Sequence, residues 1–409
     1  MVFDIGSILY FGSLSLISIN DYYGEVLSFF IRKEMKTLLI KANGIANARK
    51  SGIISGVGRS TQKLLSALNN LDNIPFDIKV YVDGTSGIGF DFYGWKFPHS
   101  VFPIPIRWGN EKTSLEPWYR KHFMKYDLLH IPHNDDWVYK GEKFVVTMHD
   151  VFEYDAALAE DNMQVIKKWQ TMAYDSVGII TCSNYSKSEI LKRFKIEDEK
   201  VSVVYWGTST DVFYKNEVKE TNDRLYELGV KGPFFCSISC AHPRKNIRTL
   251  LKAYRKFTAL NATLPSNKLV LVWNNPPADL LKEYANEIKE ERVIFLNSVS
   301  DDDLRALYCG ATCTMFPTRS EGFGFPILES FACGTPIMTC RNTCLEEVGQ
   351  DVALYVGEDN LDEMVNVMMR FEHSEYDMNK FIVDSKRVVD RFSWDNTAKE
   401  YINFYQKYL

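Results

Sequence analysis

From Thr37 to Ala332 the chain alternates short apolar runs with stretches whose apolar residues recur at helical spacing. Thr37–Ile40, Ile78–Val82, Leu128–Ile131, Phe144–Met148, Gly178–Cys182 and Val201–Tyr205 read as buried strands. Between them, Ser60–Leu71 carries Leu64, Leu65, Leu68 and Leu71 on one face and reads as an amphipathic helix. Gln164–Ser176 reads as another, with Asp161 or Asn162 as its cap. A polar stretch from Lys215 to Asp223 reads as a linker, after which the plan repeats. Strands Phe234–Ser239, Leu269–Trp273, Val293–Phe295 and Thr312–Phe316 interleave with helices Arg248–Phe257, Asp279–Lys289, Asp302–Tyr308 and Pro326–Ala332. Such alternation demands parallel sheets covered on both faces. Two runs of it predict an α/β protein of two doubly wound domains, with a ligand in the cleft at the carboxyl ends of the strands.

Composition narrows the partners. With 25% charged residues and a net charge of −5, bulk attraction to nucleic acid is not expected. The eight cysteines include Cys309/Cys313 and Cys340/Cys344, but neither spacing is that of a zinc knuckle and no histidine stands near. They read as reduced and structural, which places the chain in the cytoplasm. Residues 5–19 are apolar, yet they lack a basic flank, carry Asp4 before them, and are shorter than the ~20 residues a membrane helix needs. Residues 1–34 are therefore expected to lie outside the fold, and a chain beginning at Met35 is expected to fold.

Chemistry concentrates between Pro317 and Pro336. Pro326 suits the first position of a helix, Gly334 its left-handed end, and Pro336 stops it. Gly322-Phe323-Gly324 precedes that helix, so free amides and the positive dipole end converge where a diphosphate can bind. Glu321 and Glu329 border the same place, and a carboxylate can accept from vicinal hydroxyls. Each feature alone fits a plain capped helix with surface glutamates; their combination and order do not. Gly56-Val-Gly58 is no dinucleotide fingerprint, because Thr61 stands where a third glycine is required. Asp301-Asp302-Asp303 precedes a helix, reads as a cap, and predicts no essential metal. Trp118–Lys125 mixes aromatic and basic residues; a partly buried helix with solvated lysines is the favoured reading, and peripheral contact with an anionic membrane the alternative.

The segment Glu321-Gly-Phe-Gly-Phe-Pro326 with Glu329 resembles the signature of family-4 retaining glycosyltransferases, in the branch of many bacterial mannosyltransferases. The resemblance runs over residues 35–409. It takes in Ser51–Leu71, Asp127–His133, Val145–Asp150, Thr181–Ser186, Val203–Gly207, Ser239–Asn246 and Phe392-Ser-Trp394. It implies the GT-B fold: a Rossmann-like acceptor domain at 35–213, a Rossmann-like donor domain at 214–390, and a closing helix at 391–409 that packs back on the first. By the same resemblance Glu329 binds the ribose, and Glu321 holds hydroxyls of the transferred sugar. The amides of Phe323 and Gly324 stand beside it, and Phe325 is placed in the same donor-binding loop. Arg244 and Lys245 neutralise the diphosphate, and His149 lies beside the reacting sugar. Gly56 and Gly58 let the first domain's loop approach sugar and phosphate. Two departures stand out. Ser239-Cys240 replaces a common Gly-Arg or Gly-Thr, and Trp206 replaces the usual Asn before Gly207 and is read as a hinge change. The implied activity is hexosyl transfer from a nucleotide diphosphate sugar, GDP-mannose ahead of a UDP-hexose, to a glycan or lipid-linked glycan. No cofactor is implied. The other reading is a non-catalytic sugar-nucleotide-binding subunit.

Overall fold

The computed structural model describes residues 35–46, 56–84, 87, 90–102, 115–134, 136–238, 241–260 and 267–409. Residues 1–34, the loop before Gly56, and Ser239-Cys240 fall outside them, and with them the expectations that rest there.

Seven strands form the first sheet: β1 Thr37–Lys41, β2 Asp77–Asp83, β3 His99–Phe102, β4 Leu128–Ile131, β5 Phe144–Thr147, β6 Gly178–Thr181 and β7 Val201–Val203. Their order is β3-β2-β1-β4-β5-β6-β7, and every pairing is parallel. The second sheet has β8 Phe234–Ser237, β9 Lys268–Val272, β10 Val293–Leu296, β11 Cys313–Phe316, β12 Ile337–Cys340 and β13 Leu354–Val356, in the parallel order β10-β9-β8-β11-β12-β13. Central strands such as β4, β5, β8 and β11 are buried at every residue, as helices on both faces require. The fold is the two-domain α/β arrangement expected from the alternation.

The helices that bear on the site are α1 Gly56–Asn70, α2 Phe152–Ala159, α3 Asn184–Phe194, α4 Val218–Glu227, α5 Asp301–Gly310, α6 Phe325–Ala332 and α7 Trp394–Gln406. Three helical stretches of the chain differ from the sequence reading. The stretch taken as a linker contains α4, whose buried Thr221 and Leu225 are too few to mark a polar helix by periodicity. Asp279–Lys289 is two short helices, Ala278–Glu283 and Ala285–Lys289, broken at Tyr284 where φ is −110°. The aspartates before Leu304 start α5, but the cap itself is Ser300, which exchanges hydrogen bonds with Asp303 in a capping box.

Helix α7 returns to the first domain. Its Ala398, Tyr401, Phe404 and Tyr405 complete the core built on Leu38, Ile40, Leu65 and Val80. The Tyr405 hydroxyl meets His130 Nδ1 at 2.8 Å, and His130 Nε2 meets Thr147 Oγ1 at 2.8 Å. Burial pushes the His130 imidazole down to about 3, so it is neutral and structural. The outgoing and returning crossings touch: a Cβ on Gly207 would fall 2.2 Å from the Trp394 backbone nitrogen, so only glycine fits.

Candidate active site

Between the domains lies a cavity of about 440 Å³, walled by segments that leave the carboxyl ends of the strands. From the first domain come Gly56, Val57, Arg59, His149, Asp150 and Trp206; from the second, Ile238, Arg244, Lys245, Leu304, Glu321–Pro326 and Glu329. A larger depression, about 550 Å³, lies against α4 and is lined by side chains such as Glu220, Asp223, Arg224 and Asp302. It has no wall from the first sheet, so we assign the site to the interdomain cavity.

Glu321 is the hub of the second domain's side. Its Oε1 accepts from Thr318 Oγ1 at 2.8 Å and Lys245 Nζ at 2.6 Å, and lies 2.7 Å from Arg244 Nη1. Burial works to raise this carboxyl, and Lys245 and Arg244 overcome it and hold it below its ordinary value. Both cations come from the turn Pro243–Lys245 after β8, fixed by His242 Nδ1 accepting from the Arg244 amide at 3.2 Å. Arg244 also donates to the Ser320 carbonyl at 2.7 Å and stacks 5.4 Å over the Phe152 ring of the first domain.

At Gly322 the two domains are in close contact. A Cβ there would fall 2.3 Å from the His149 carbonyl oxygen, and Ser183 Oγ donates to the Gly322 carbonyl at 2.8 Å. Gly324, with φ at 93°, starts α6, so Pro326 occupies the second helical position rather than the first. Glu329, on the inner face of α6, accepts from the Tyr308 hydroxyl at 2.8 Å through Oε2. Burial raises its carboxyl above the usual range, while Tyr308 and Arg59 oppose that.

His149 Nε2 lies 3.0 Å from the Pro132 carbonyl. A carbonyl only accepts, so Nε2 carries the hydrogen and Nδ1 keeps a lone pair. That Nδ1 is buried without a hydrogen-bond partner. Burial drives the ring down to about 4, so it is neutral near pH 7. The Trp206 ring stands 4.9 Å away.

Of the residues named from sequence, Gly56, His149, Arg244, Lys245, Glu321, Phe323, Gly324, Phe325 and Glu329 all line this one cavity. Gly58 does not: α1 begins at Gly56, so Gly58 falls in its first turn and packs on Gly44, whose own Cβ would sit 3.6 Å from the Gly58 Cα. Trp206 is more than a hinge change, since it stacks on Phe325 at 5.2 Å and walls the cavity. Missed altogether were Arg59 and Tyr308 as wall or support, whereas Asp150, read in sequence beside His149, also lines the cavity. Arg59 donates to both Asp301 oxygens across the cleft, at 2.8 and 3.2 Å, and no local pattern pairs residues so far apart. No group of three or more potential metal ligands stands together among the described residues.

Two doubly wound domains facing each other across a cleft at the carboxyl ends of their strands make the GT-B architecture. Residues 54–212 match the model described as Glycosyltransferase Family 4, and residues 218–388 match Glycosyl transferases group 1. The chain belongs to the family-4 glycosyltransferases. It is 26% identical to O-antigen chain mannosyltransferase B of Escherichia coli, over 66% of this chain and 74% of that one. It is 28% identical to MMP alpha-(1->4)-mannosyltransferase of Mycolicibacterium hassiacum, over 65% of this chain and 66% of that one. Among solved structures, Anabaena Alr3699/HepE in complex with UDP-glucose superposes with a TM-score of 0.67 at 16% identity, covering 92% of this chain and all of that one.

Proposed function

We propose that the chain moves a hexosyl unit, mannose in preference, from a nucleotide diphosphate sugar to a glycan or lipid-linked glycan, with retention at the anomeric carbon and no metal ion. The observation that carries this is the single cavity that gathers the α6 amide end, Arg244, Lys245, both glutamates and His149. Negative charge grows on the diphosphate as the glycosidic bond breaks, and fixed cations and amides there lower the barrier. Glu329 keeps Oε1 for the ribose hydroxyls while Oε2 holds Tyr308. The unpartnered Nδ1 of His149 is an acceptor for a hydroxyl of the transferred sugar. The leaving phosphate then takes the acceptor's proton on the same face, without a covalent intermediate.

Mannosyltransferases among the relatives support mannose, and with it GDP-mannose ahead of a UDP-hexose. A thermal-shift screen of GDP-, UDP- and dTDP-sugars tests the donor, because a ligand bound to the native state raises its midpoint. GDP-mannose is expected to give the largest shift and to be slowly hydrolysed in excess EDTA. Activity lost to EDTA and restored by manganese would overturn the metal-free reading. The absence of any shift would remove the donor site, and binding without hydrolysis would favour a non-catalytic subunit. Peripheral membrane contact draws support from exposed Trp118 and Phe123 beside Lys121. Arg120, grouped with that basic face from sequence, is instead fully buried against Glu142. Co-sedimentation with anionic vesicles measures the contact.

A further inference from the structure

Two thiols meet where α5 and α6 end. Cys309 lies in the last turn of α5 and Cys333 caps α6, and both are free cysteines. Their sulfurs are hydrogen-bonded to each other, with the Cys333 S–H donating to Cys309. A neighbouring bond holds the same two ends together: Thr335 Oγ1 donates to the Tyr308 carbonyl at 2.6 Å. In the sequence Cys309 stands nearer Cys313, and Cys333 nearer Cys340, so only the fold makes this pair.

The two sulfurs are not equivalent. Cys333 is buried in the core with Leu225 and Phe234. Cys309 is half-buried; it accepts from the Asn216 amide at 3.4 Å and, as a thiol, donates to the Tyr214 carbonyl at 3.3 Å. Asn216 is a wall residue of the depression against α4, so the Cys309 sulfur borders an open surface. The Cys333 hydrogen bond first, then Asn216, Arg305 and Lys215, outweigh burial and bring the Cys309 thiol down to about 7. The same shared proton, with burial, pushes Cys333 up. A reachable thiolate beside a second cysteine is the arrangement that oxidants select. Tyr308, next in the chain to Cys309, donates to Glu329 Oε2 at 2.8 Å, and Glu329 stands one turn before Cys333.

We propose that Cys309 and Cys333 form a thiol–disulfide site that an uncharged hydroperoxide oxidises, and that the closed bond loosens the Tyr308–Glu329 contact. The Cys309 thiolate attacks one peroxide oxygen and the O–O bond breaks. A sulfenic acid remains on Cys309, and the departing hydroxide takes up the proton that Cys309 had released, giving water. The Cys333 sulfur then attacks the Cys309 sulfur, the S–O bond breaks, and the hydroxyl leaves with the Cys333 proton as a second water. One peroxide thus accepts two electrons, one from each sulfur. The depression beside Cys309 carries more carboxylates than cations, so a neutral peroxide approaches where an anionic disulfide is repelled. Bond closure draws the sulfurs together from hydrogen-bond contact and shifts the ends of α5 and α6 on which Tyr308 and Glu329 sit. The effect on ligand binding rests on reading Glu329 as the ribose contact.

Peptide mass spectrometry tests the site without turnover. The reduced full chain is exposed to a small excess of hydrogen peroxide, and its remaining thiols are blocked with N-ethylmaleimide. A Cys309–Cys333 link is expected as the main product, reversed by dithiothreitol. Cys333→Ser is expected to stop at the Cys309 sulfenic acid, trapped by dimedone, and Cys309→Ser to leave Cys333 reduced. A main link between other cysteines, no link, or no dimedone adduct on Cys309 overturns the site. By calorimetry, the linked chain is expected to bind the best of the GDP-, UDP- and dTDP-sugars several-fold more weakly, with recovery in dithiothreitol. Cys309→Ser should keep its affinity in peroxide. Unchanged affinity of the linked chain overturns the coupling to Glu329. A reduced chain that binds none of these sugars would instead remove the donor reading, and the link itself still decides the site.

Discussion

Lys245 and Arg244 converge on one carboxylate oxygen, so their positions are set before any substrate arrives. Such preorganisation is what makes a fixed charge count in a transition state, where losing one contact typically costs ~10²–10³ in turnover. Lys245→Ala is expected to depress turnover by about that factor, with donor affinity falling much less. Lys245→Arg should recover part of the loss, since a planar fork cannot reproduce a compact ammonium beside Glu321. Near-normal turnover of the alanine variant would take Lys245 out of the site. Asp150 gives a test by pH. Burial, with Glu321 and Glu153 helping and Arg244 opposing, pushes its carboxyl up to about 6. Its folded value lies above its unfolded one, so folding favours the protonated form. Stability from this group is lost as pH rises from about 4 through about 6, and the ionised form above that window is a penalty. Asp150→Asn should therefore be more stable than the unaltered chain at pH 7.5, by on the order of 1–3 kcal/mol. The advantage should shrink as pH falls below 6, and denaturant unfolding at both pH values checks it.

At the scale of elements, the loop from Glu321 to Gly324 is held between α6 and the His149 loop with no room to spare. Gly322→Ala must displace the His149 carbonyl, a backbone atom, because the new Cβ would stand 2.3 Å from it. Misplacement of reacting groups by about 1 Å costs roughly 10²-fold. We expect a turnover loss of at least that size with circular dichroism unchanged; wild-type turnover would show that the loop gives way freely. Much of this element was legible beforehand, because Gly324, Pro326 and Gly334 punctuate α6 and the two glutamates flanking its start line one cavity. What was not legible were the connections between elements. The Glu321–Lys245 and Glu329–Tyr308 bonds join residues that only the fold brings together, and charge or hydroxyl alone does not name a partner. Helix α4 escaped for a different reason: it covers α5 with a narrow stripe, and its remaining surface is as polar as a linker.

For the molecule as a whole, α1 acts as a clasp. One turn apart on it, Arg59 pairs with Asp301 at 2.8 Å and Lys63 with Asp211 at 2.6 Å, while the Arg59 guanidinium lies 5.9 Å from the Phe213 ring. Asp301 and Phe213 belong to the second domain's side, so the helix whose first turn walls the interdomain cavity also ties the domains together. Asp301 is half exposed, so the pair is worth about 0.2–1 kcal/mol, enough to bias closure without locking it. Arg59→Asp should weaken nucleotide-sugar binding several-fold, and adding Asp301→Arg should restore part of it. A double-mutant cycle showing no coupling would deny the clasp.

Helix α7 carries a consequence for how the protein is made. The first domain's sheet is complete by Val203, yet its core lacks Ala398, Tyr401, Phe404 and Tyr405 until α7 emerges. Domains usually fold as units in the order of synthesis. Here the half made first is finished last. Until then it leaves Leu38, Ile40 and Val80 without their aromatic cover and His130 without Tyr405. A ribosome that stalls before α7 thus releases a first domain with an open core, and loss of α7 injures strands made long before it.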